Sequence, residues 1–281
     1  MGLAQYGFMR VNGKIIVVTG AGSGMGRELT LLLLSRGAKV AAADLNMAGL
    51  QETASLAGEG AQLELFELDV SNQAAAEALP QKVIDRFGAV DGIINNAGII
   101  QPMIPVADLD YGIIQKVLNV NFYGVLYLTK AFLPHLMARP VAHIVNTSSM
   151  GGFLPVPGQT IYGASKAAVK LFTEGLWSEL AATNVKVTVV FPGAIQTNIA
   201  TNSGLGDYQD KMEKQMSGGS AKTPPMTPAP EAARIIVDGM EADHFRVVVG
   251  RDARFMDMLY RLAPKRAASF IYKQMRSILG G

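Results

Sequence analysis

Short apolar runs that alternate with longer helical patterns constrain the fold more than any other feature of this chain. The runs lie at 14–20, 38–44, 62–69, 90–98, 142–149, 185–193 and 245–250. They are apolar at successive positions, as strands are when helices cover both faces of a parallel sheet. Parallel strands need right-handed crossovers, which the intervening helical patterns supply. The pattern predicts an α/β fold: a single doubly wound, Rossmann-type domain over 1–281, with a mainly parallel seven-stranded sheet between helices.

Composition excludes several classes of function. The 281 residues include no cysteine, which excludes disulfides, thiolate metal sites and a cysteine nucleophile. The three histidines, His135, His143 and His244, are scattered, so we expect no metal site. A net charge of +2 gives no argument for nucleic-acid binding. No apolar run is long enough to span a bilayer and the N-terminus lacks a signal-peptide pattern, so we expect a cytoplasmic protein.

Two segments near the C-terminus differ from the rest. Residues 198–228 are rich in Gly, Ser, Thr and Pro, and a connection of this length is usually a lid or a binding loop. We predict a substrate lid, with a plain surface excursion as the alternative. Residues 251–281 hold seven Lys or Arg against two Asp, and apolar residues recur at helical spacing on both sides of Pro264. We expect this basic amphipathic extension to pack on the protein or a second subunit; a weak peripheral membrane contact is the alternative.

A glycine-rich turn joins the first strand to the first helix in the sequence TGAGSGMG, residues 19–26. Gly20, Gly24 and Gly26 let the backbone turn tightly and approach a pyrophosphate. The N-terminus of the following helix then offers unpaired N–H groups to the anion. The turn predicts a dinucleotide site.

Asp44 closes the second strand and indicates which dinucleotide is bound. A carboxylate at this place binds the adenosine ribose hydroxyls and repels a 2′-phosphate. Neither Ser23 nor Leu45 offers a cation to offset that repulsion. The sequence therefore favours NAD over NADP.

Tyr162 and Lys166 stand four positions apart and so share one face of a helix. A nearby ammonium lowers the pKa of a phenol because it favours the phenolate. Tyr162 could then exchange a proton near neutral pH. For the pair alone, a solvated helix face is the alternative.

Other motifs decide between these alternatives. In chain order they are TGAGSGMG (19–26), NNAG (95–98), Asn121 in NVNFYG, Ser149 in VNTSSMGG, YGASK (162–166) and PGAIQT (192–197). With these motifs, residues 10–250 resemble the classical short-chain dehydrogenase/reductase (SDR) family. The resemblance implies hydride transfer between a secondary alcohol and C4 of a nicotinamide, without a metal.

The resemblance implies a catalytic tetrad of Asn121, Ser149, Tyr162 and Lys166. Tyr162 would be the acid/base for the substrate hydroxyl, and Lys166 would bind the nicotinamide ribose and lower the tyrosine pKa. Ser149 would hydrogen-bond the substrate oxygen, and Asn121 would anchor a water relay. Ser149 is chosen over Ser148 because it precedes Tyr162 by thirteen residues, the spacing common in the family. Ser148 is predicted to be a packing residue at the strand end.

The resemblance also implies cofactor contacts. Asp69 is similar to the residue that meets the adenine amino group, the turn after the fourth strand supports the adenosine, and PGAIQT holds the carboxamide. Asn95 could belong to that turn or could serve to tie strands together. The predicted cofactor residues are Gly20, Ser23, Gly24, Met25, Gly26, Asp44, Leu45, Asp69, Val70, Asn96, Ala97, Gly98, Tyr162, Lys166, Pro192, Gly193, Ile195 and Thr197.

The substrate is predicted to be a small molecule with a hydrophobic body, such as a steroid, an acyl chain or an aromatic alcohol. No Lys or Arg lies between Ser149 and Tyr162. The apolar candidates are Met150, Phe153, Leu154 and Val156, with Met212 and Met216 of the lid. Packing of the core is the alternative for these side chains.

Assembly and rival functions complete the prediction. The family commonly pairs the long helices at 108–138 and 160–183, which implies a homodimer or homotetramer. A non-catalytic dinucleotide sensor and a sugar-nucleotide epimerase or dehydratase are the rival functions. The complete tetrad argues against the first. The short stretch after the last strand argues against the second.

Overall fold

A seven-stranded sheet forms the centre of the computed structural model, which describes residues 8–205 and 226–275. Its strands are β1 (Ile15–Thr19), β2 (Lys39–Asp44), β3 (Leu63–Glu67), β4 (Gly92–Asn95), β5 (Ala142–Thr147), β6 (Val185–Pro192) and β9 (Arg246–Val249). Their order is β3-β2-β1-β4-β5-β6-β9, and every neighbouring pair is parallel. The predicted parallel α/β sheet is confirmed.

Helices connect the strands. They are α1 (Gly24–Ser35), α2 (Met47–Ala57), α3 (Gln73–Phe87), α4 (Tyr111–Leu118), α5 (Gly124–Met137), α6 (Thr160–Leu180), α7 (Ile199–Asn202), α8 (Ala229–Glu241), α9 (Arg251–Leu262) and α10 (Pro264–Met275). The helical pattern predicted at 108–138 is two helices, because a π-helical turn over Asn119–Tyr123 separates α4 from α5. Short 3₁₀ turns lie at Val106–Asp108 and Met150–Gly152.

Side-chain caps set the starts of several helices. Asn46 accepts a hydrogen bond from the Gly49 N–H at the start of α2, and Asn72 and Asp110 start α3 and α4 in the same way. Each cap gives an acceptor to an N–H group that has none within its own helix.

Apolar side chains fill both faces of the sheet. Ile16 and Val18 of β1 pack with α1 and α8, whereas Val17 packs with α3, α5 and α6. Successive residues of a strand point to opposite faces, so a strand covered on both sides is apolar throughout. This explains why the strand patterns in the sequence do not alternate.

The C-terminal helices pack on the protein's own body, as expected. Met256 of α9 and Ala267 of α10 are buried in a cluster with Leu154. Arg246 of β9 also pairs with Asp257 of α9 at 3.2 Å. Among residues 8–205 and 226–275, no helix is both long and apolar enough to cross a membrane.

The predicted lid at 198–228 lies partly outside the described residues. Its beginning forms α7, and its end forms the two-residue strand β8 (Thr227–Pro228), which pairs with β7 (Ile195–Gln196). Residues 206–225, with Met212 and Met216, are not described.

Candidate active site

A cleft of about 630 Å³ opens at the carboxyl ends of β1 to β6. The strand order changes direction between β1 and β4, and open α/β sheets bind ligands at such a point. All of the predicted cofactor residues line this cleft, together with Ser149. Of the predicted catalytic and cofactor residues, Asn121 alone does not line it.

The glycine turn forms one end of the cleft and leaves no room for side chains. Gly20 and Gly24 have φ of +69° and +50°, which favour glycine. A Cβ on Gly26 would lie 2.6 Å from the Gly20 carbonyl carbon and 2.7 Å from Asn96 Nδ2. Helix α1 can therefore approach the turn only with glycine at position 26.

The Thr19 hydroxyl joins this turn to the next part of the cleft. It accepts the N–H groups of Asn96 and Ala97, both at 3.0 Å, and Asn96 Nδ2 donates to the Thr19 carbonyl at 3.1 Å. The ends of β1 and β4 are thus fixed side by side.

Asp44 is held in a defined orientation at the end of β2. Its Oδ2 accepts the Gly22 N–H and its Oδ1 accepts the Asn46 N–H, both at 2.9 Å. Arg27 does not line the cleft, because its guanidinium bonds the Gly22 carbonyl and Glu52, both at 2.6 Å.

Ser149, Tyr162 and Lys166 meet at the end of β5. The Ser149 side chain lies close enough to the Tyr162 phenol to lower its pKa. The Lys166 Nζ lies 6.0 Å from the centre of the Tyr162 ring and donates to the Thr147 carbonyl at 3.0 Å. A phenol, a hydroxyl and an ammonium therefore face one cleft, so the solvated-face alternative is wrong.

The sequence predicted that Lys166 lowers the pKa of Tyr162, and the structure corrects this prediction. Burial raises the pKa of Tyr162, and the Ser149 side chain offsets this only in part. Burial also lowers the pKa of Lys166 to about 8. Desolvation opposes the charged form of each group. The prediction was wrong because the degree of burial cannot be seen in the sequence.

Asn121 lies outside the cleft, where its side chain supports the cleft wall. It is fully buried in the π-helical turn, and its Oδ1 accepts the Ile99 N–H at 2.8 Å. Its Nδ2 donates to the Ile99 carbonyl at 2.9 Å and to Ser165 Oγ at 3.0 Å. The side chain thus joins the loop after β4 to α6.

Two polar residues have structural roles. Asn95 Nδ2 donates to Asn146 Oδ1 at 2.8 Å, which ties β4 to β5, and Asn95 does not line the cleft. The strand-tying alternative for Asn95 is confirmed. Ser148 Oγ donates to the Lys166 carbonyl at 2.7 Å and is buried, as expected of a packing residue, but Ser148 also lines the cleft.

The apolar residues predicted to contact substrate are differently placed. Leu154 is buried against α9 and α10, and the Phe153 ring lies 5.5 Å from Phe191 and 6.4 Å from Tyr260. Neither residue lines the cleft, because the C-terminal helices cover them. The core-packing alternative holds for both.

Sequence reasoning missed several cleft residues. They include Gly22, Asn46, Leu68, Ser71, Ile99, Ile100, Lys116, Val120, Thr147, Ser148 and Ala194. Asn198, Ile199 and Asn202 also line the cleft, and they belong to the predicted lid. Ile99 and Ile100 directly follow NNAG, so extending that motif by two residues would have found them. Lys116 comes from α4 and has no local sequence signal.

Helix α7 bridges two walls of the cleft. Asn202 Nδ2 donates to Ser23 Oγ at 2.7 Å, and the Ile100 N–H donates to Ser203 Oγ at 2.9 Å. The start of the predicted lid therefore contacts both the glycine turn and the loop after β4. Among the described residues, no group of three or more His, Cys, Asp or Glu could hold a metal ion.

Comparison with known proteins places this fold and cleft in a family. The family model described as short chain dehydrogenase matches residues 14–206. SadH of Mycobacterium tuberculosis, named as an oxidoreductase, is 41% identical over 259 residues, which are 89% of this chain and 91% of SadH.

Two solved structures illustrate the likeness. A short chain dehydrogenase/reductase from Burkholderia phymatum in complex with NAD has a TM-score of 0.79 and 28% identity, and the match covers 90% of this chain and 96% of the other. A short chain dehydrogenase from Burkholderia cenocepacia J2315 in complex with NADP has a TM-score of 0.76 and 27% identity, over 94% and 99% of the two chains. Structures this similar therefore hold NAD in one case and NADP in the other.

Proposed function

Because the chain belongs to the short-chain dehydrogenase family of oxidoreductases, we propose that it interconverts a secondary alcohol and a ketone with NAD. The observation that carries this proposal is the convergence of Ser149, Tyr162 and Lys166 on the cleft that begins at the glycine turn. A nicotinamide nucleotide, when bound, supplies the carbon that gives or accepts the hydride.

The residues at the start of α1 fit a dinucleotide. Ser23 stands at the N-cap without capping the helix, and its hydroxyl accepts the Asn202 amide. The first N–H groups of α1 thus keep their capacity to bind an anion, beside glycines that leave the backbone uncovered. These features support a pyrophosphate at this place.

The proposed chemistry assigns one proton transfer to Tyr162. In ketone reduction its phenol donates a proton to the carbonyl oxygen, and Ser149 holds that oxygen by a hydrogen bond. Burial raises the Tyr162 pKa and so favours the neutral phenol that this step needs. In alcohol oxidation the proton moves the other way, from the substrate hydroxyl to the Tyr162 phenolate.

Exchange of Tyr162 for Phe tests the proposal. Tyr162→Phe is expected to abolish turnover and to leave NADH binding, followed by fluorescence titration, close to wild type. Tyr111→Phe is the matched control, since Tyr111 is 86% exposed and lies outside the cleft. Substantial turnover by Tyr162→Phe would remove the tyrosine from its role.

A preference for NAD is supported by Asp44. The carboxylate is fixed by two backbone N–H groups and lines the cleft, where it would repel a 2′-phosphate. Asp44→Ala is expected to raise the ratio of kcat/KM for NADP to that for NAD. Glu59→Ala, which removes an exposed carboxylate outside the cleft, should leave the ratio unchanged. An unchanged ratio in Asp44→Ala would contradict the assignment.

The proposed substrate has a hydrophobic body and is oxidised. Ile99, Ile100 and Ile199 give the cleft apolar surface. A panel of secondary alcohols, followed by NADH absorbance, should show higher kcat/KM for steroid, acyl-chain or aromatic alcohols. Preference for sugars or small charged alcohols would reject this class.

The proposed assembly is one domain in a cytoplasmic homodimer or homotetramer, with 198–228 as a substrate lid. Leu171 and Trp177 of α6 and Tyr123 beside α5 are exposed, which supports pairing of these helices. Sedimentation velocity measures the state, and Leu171→Glu is expected to yield monomers. A wild-type monomer would reject the assembly.

A weak contact with an anionic membrane is proposed for the outer face of α9 and α10. Phe255, Met258, Leu262 and Phe270 are exposed there, among Arg and Lys residues. Co-sedimentation with phosphatidylserine vesicles should fall at high salt and in Phe255→Ser. Absence of salt-sensitive binding would reject the contact.

A further inference from the structure

Helix α6 carries Tyr162 and Lys166, yet its own N-cap residue does not cap it. Gln159 holds that position with no side-chain bond to the helix. The first backbone bond within the helix runs from the Gly163 N–H to the Gln159 carbonyl at 2.8 Å. The N–H groups before Gly163 have no acceptor in the helix and need one from elsewhere.

Gln101 supplies that acceptor from a distant part of the chain. Its Oε1 accepts the Ile161 N–H at 2.9 Å and the Tyr162 N–H at 2.8 Å, across 60 and 61 positions of sequence. Gln101 is only 1% exposed and does not line the cleft. It therefore bonds the backbone of Tyr162 itself without contacting a ligand.

The remaining polar atoms of Gln101 are also used. Its Nε2 donates to the Gly158 carbonyl at 3.0 Å, and its backbone carbonyl accepts Gln159 Nε2 at 2.8 Å. An amide is the side chain that combines an acceptor for two N–H groups with a donor for a carbonyl. Glutamate would keep the acceptor and lose the donor, and methionine would lose both.

Gln101 is also joined to the wall of the cleft. It follows Ile99 and Ile100, which line the cleft, and Ile99 is held by Asn121. The loop after β4 is thus bonded to the start of α6 at one residue. A shift of either segment is transmitted to the other.

We propose that Gln101 is a positioning residue that caps α6 from the loop after β4 and sets where Tyr162 projects into the cleft. This role rests on the proposed function of Tyr162. A displacement of about 1 Å at a reacting group can cost about 100-fold in rate, so an acceptor on the Tyr162 N–H is well placed to control turnover. Most of the predicted nucleotide contacts lie on other elements, so nucleotide affinity is expected to change much less than kcat.

The first test compares Gln101→Met with the wild type. We expect kcat to fall at least about 10-fold with little change in KM for NAD, because the methionine fills the space without an acceptor for the helix. Asn184→Leu is the matched control: the Asn184 amide bonds the Leu136 and Arg139 carbonyls at the end of α5, outside the cleft. It should lower stability while kcat stays at the wild-type value. A kcat of Gln101→Met within twofold of wild type would overturn the role.

Gln101→Glu is the second test and covers failure of Gln101→Met to fold. It keeps the acceptor and adds a negative charge beside Tyr162, so kcat should recover relative to Gln101→Met. A negative charge disfavours the phenolate, so the pH profile of alcohol oxidation should shift to higher pH. A pH profile that coincides with that of the wild type would overturn the role whether or not Gln101→Met folds. Where Gln101→Met does fold, a kcat of Gln101→Glu no higher than that of Gln101→Met would overturn it as well.

A measurement without turnover separates this role from the proposed function. In ¹³C-tyrosine NMR, the signal lost in Tyr162→Phe identifies Tyr162, and it should move in both Gln101 variants but not in Asn184→Leu. If the wild type oxidises no alcohol, the proposed function fails while this signal still reports on the cap. An unmoved signal in both Gln101 variants rejects the cap itself.

Discussion

His143 should make the stability of the fold depend on pH in a defined window. It lies fully buried in β5, with Nε2 at 2.8 Å from Thr188 Oγ1. The Thr188 hydroxyl donates its hydrogen to the His244 carbonyl at 2.7 Å, so His143 Nε2 must be the donor. Its Nδ1 has no partner among the described residues.

Burial, aided by the charge of Lys186, lowers the pKa of His143 from 6.5 to about 3. The unfolded chain therefore takes up a proton as the pH falls below 6.5, whereas the folded protein does not do so until about pH 3. The stability that this neutral histidine contributes is complete above pH 6.5 and is lost on the way down to about pH 3. Between pH 7 and pH 5 the loss amounts to about 2 kcal/mol.

Urea unfolding at pH 7 and pH 5, followed by circular dichroism, measures this loss. His143→Gln can keep a donor toward Thr188 and does not titrate, so its free energy of unfolding should fall by about 2 kcal/mol less than that of the wild type. His135 and His244 are present in both proteins and cancel in the comparison. Equal losses in the two proteins would show that His143 does not stay neutral in the fold.

Three further predictions follow from single side chains. Gly26→Ala is expected to abolish NADH binding in a fluorescence titration, because its Cβ would collide with the Gly20 backbone. NADH affinity should weaken above about pH 8, where Lys166 loses its charge, and calorimetry should show no such pH dependence in Lys166→Met. Leu154→Ala should cost about 2–3 kcal/mol in thermal unfolding and speed hydrogen exchange in α9 and α10, with NADH binding unchanged.

The sequence predicted most reliably the site residues that lie at the ends of strands. Gly20, Asp44, Asp69 and Pro192 each end or follow a parallel strand, so the sheet itself brings them to one edge. Their placement needs only the order of strands and the motifs that close them.

Properties that depend on distant contacts could not be predicted in this way. The raised pKa of Tyr162 comes from burial by several elements, and the cap from Gln101 crosses about sixty residues of sequence. Phe153 and Leu154 could have faced substrate or core, and only the position of α9 and α10 decides between these. Apolar character alone does not say which neighbour a side chain will meet.

The bridge made by α7 has a consequence for the speed of the catalytic cycle. Two hydrogen bonds hold the two sides of the cleft together. Asn202 donates to the Ser23 hydroxyl, and the Ile100 N–H donates to the Ser203 hydroxyl. Bonds of this kind contribute only about 1 kcal/mol each, so thermal motion can break both at once. We expect Asn202→Ala, which removes one of the two bonds, to raise the rate at which NADH leaves the cleft in stopped-flow fluorescence.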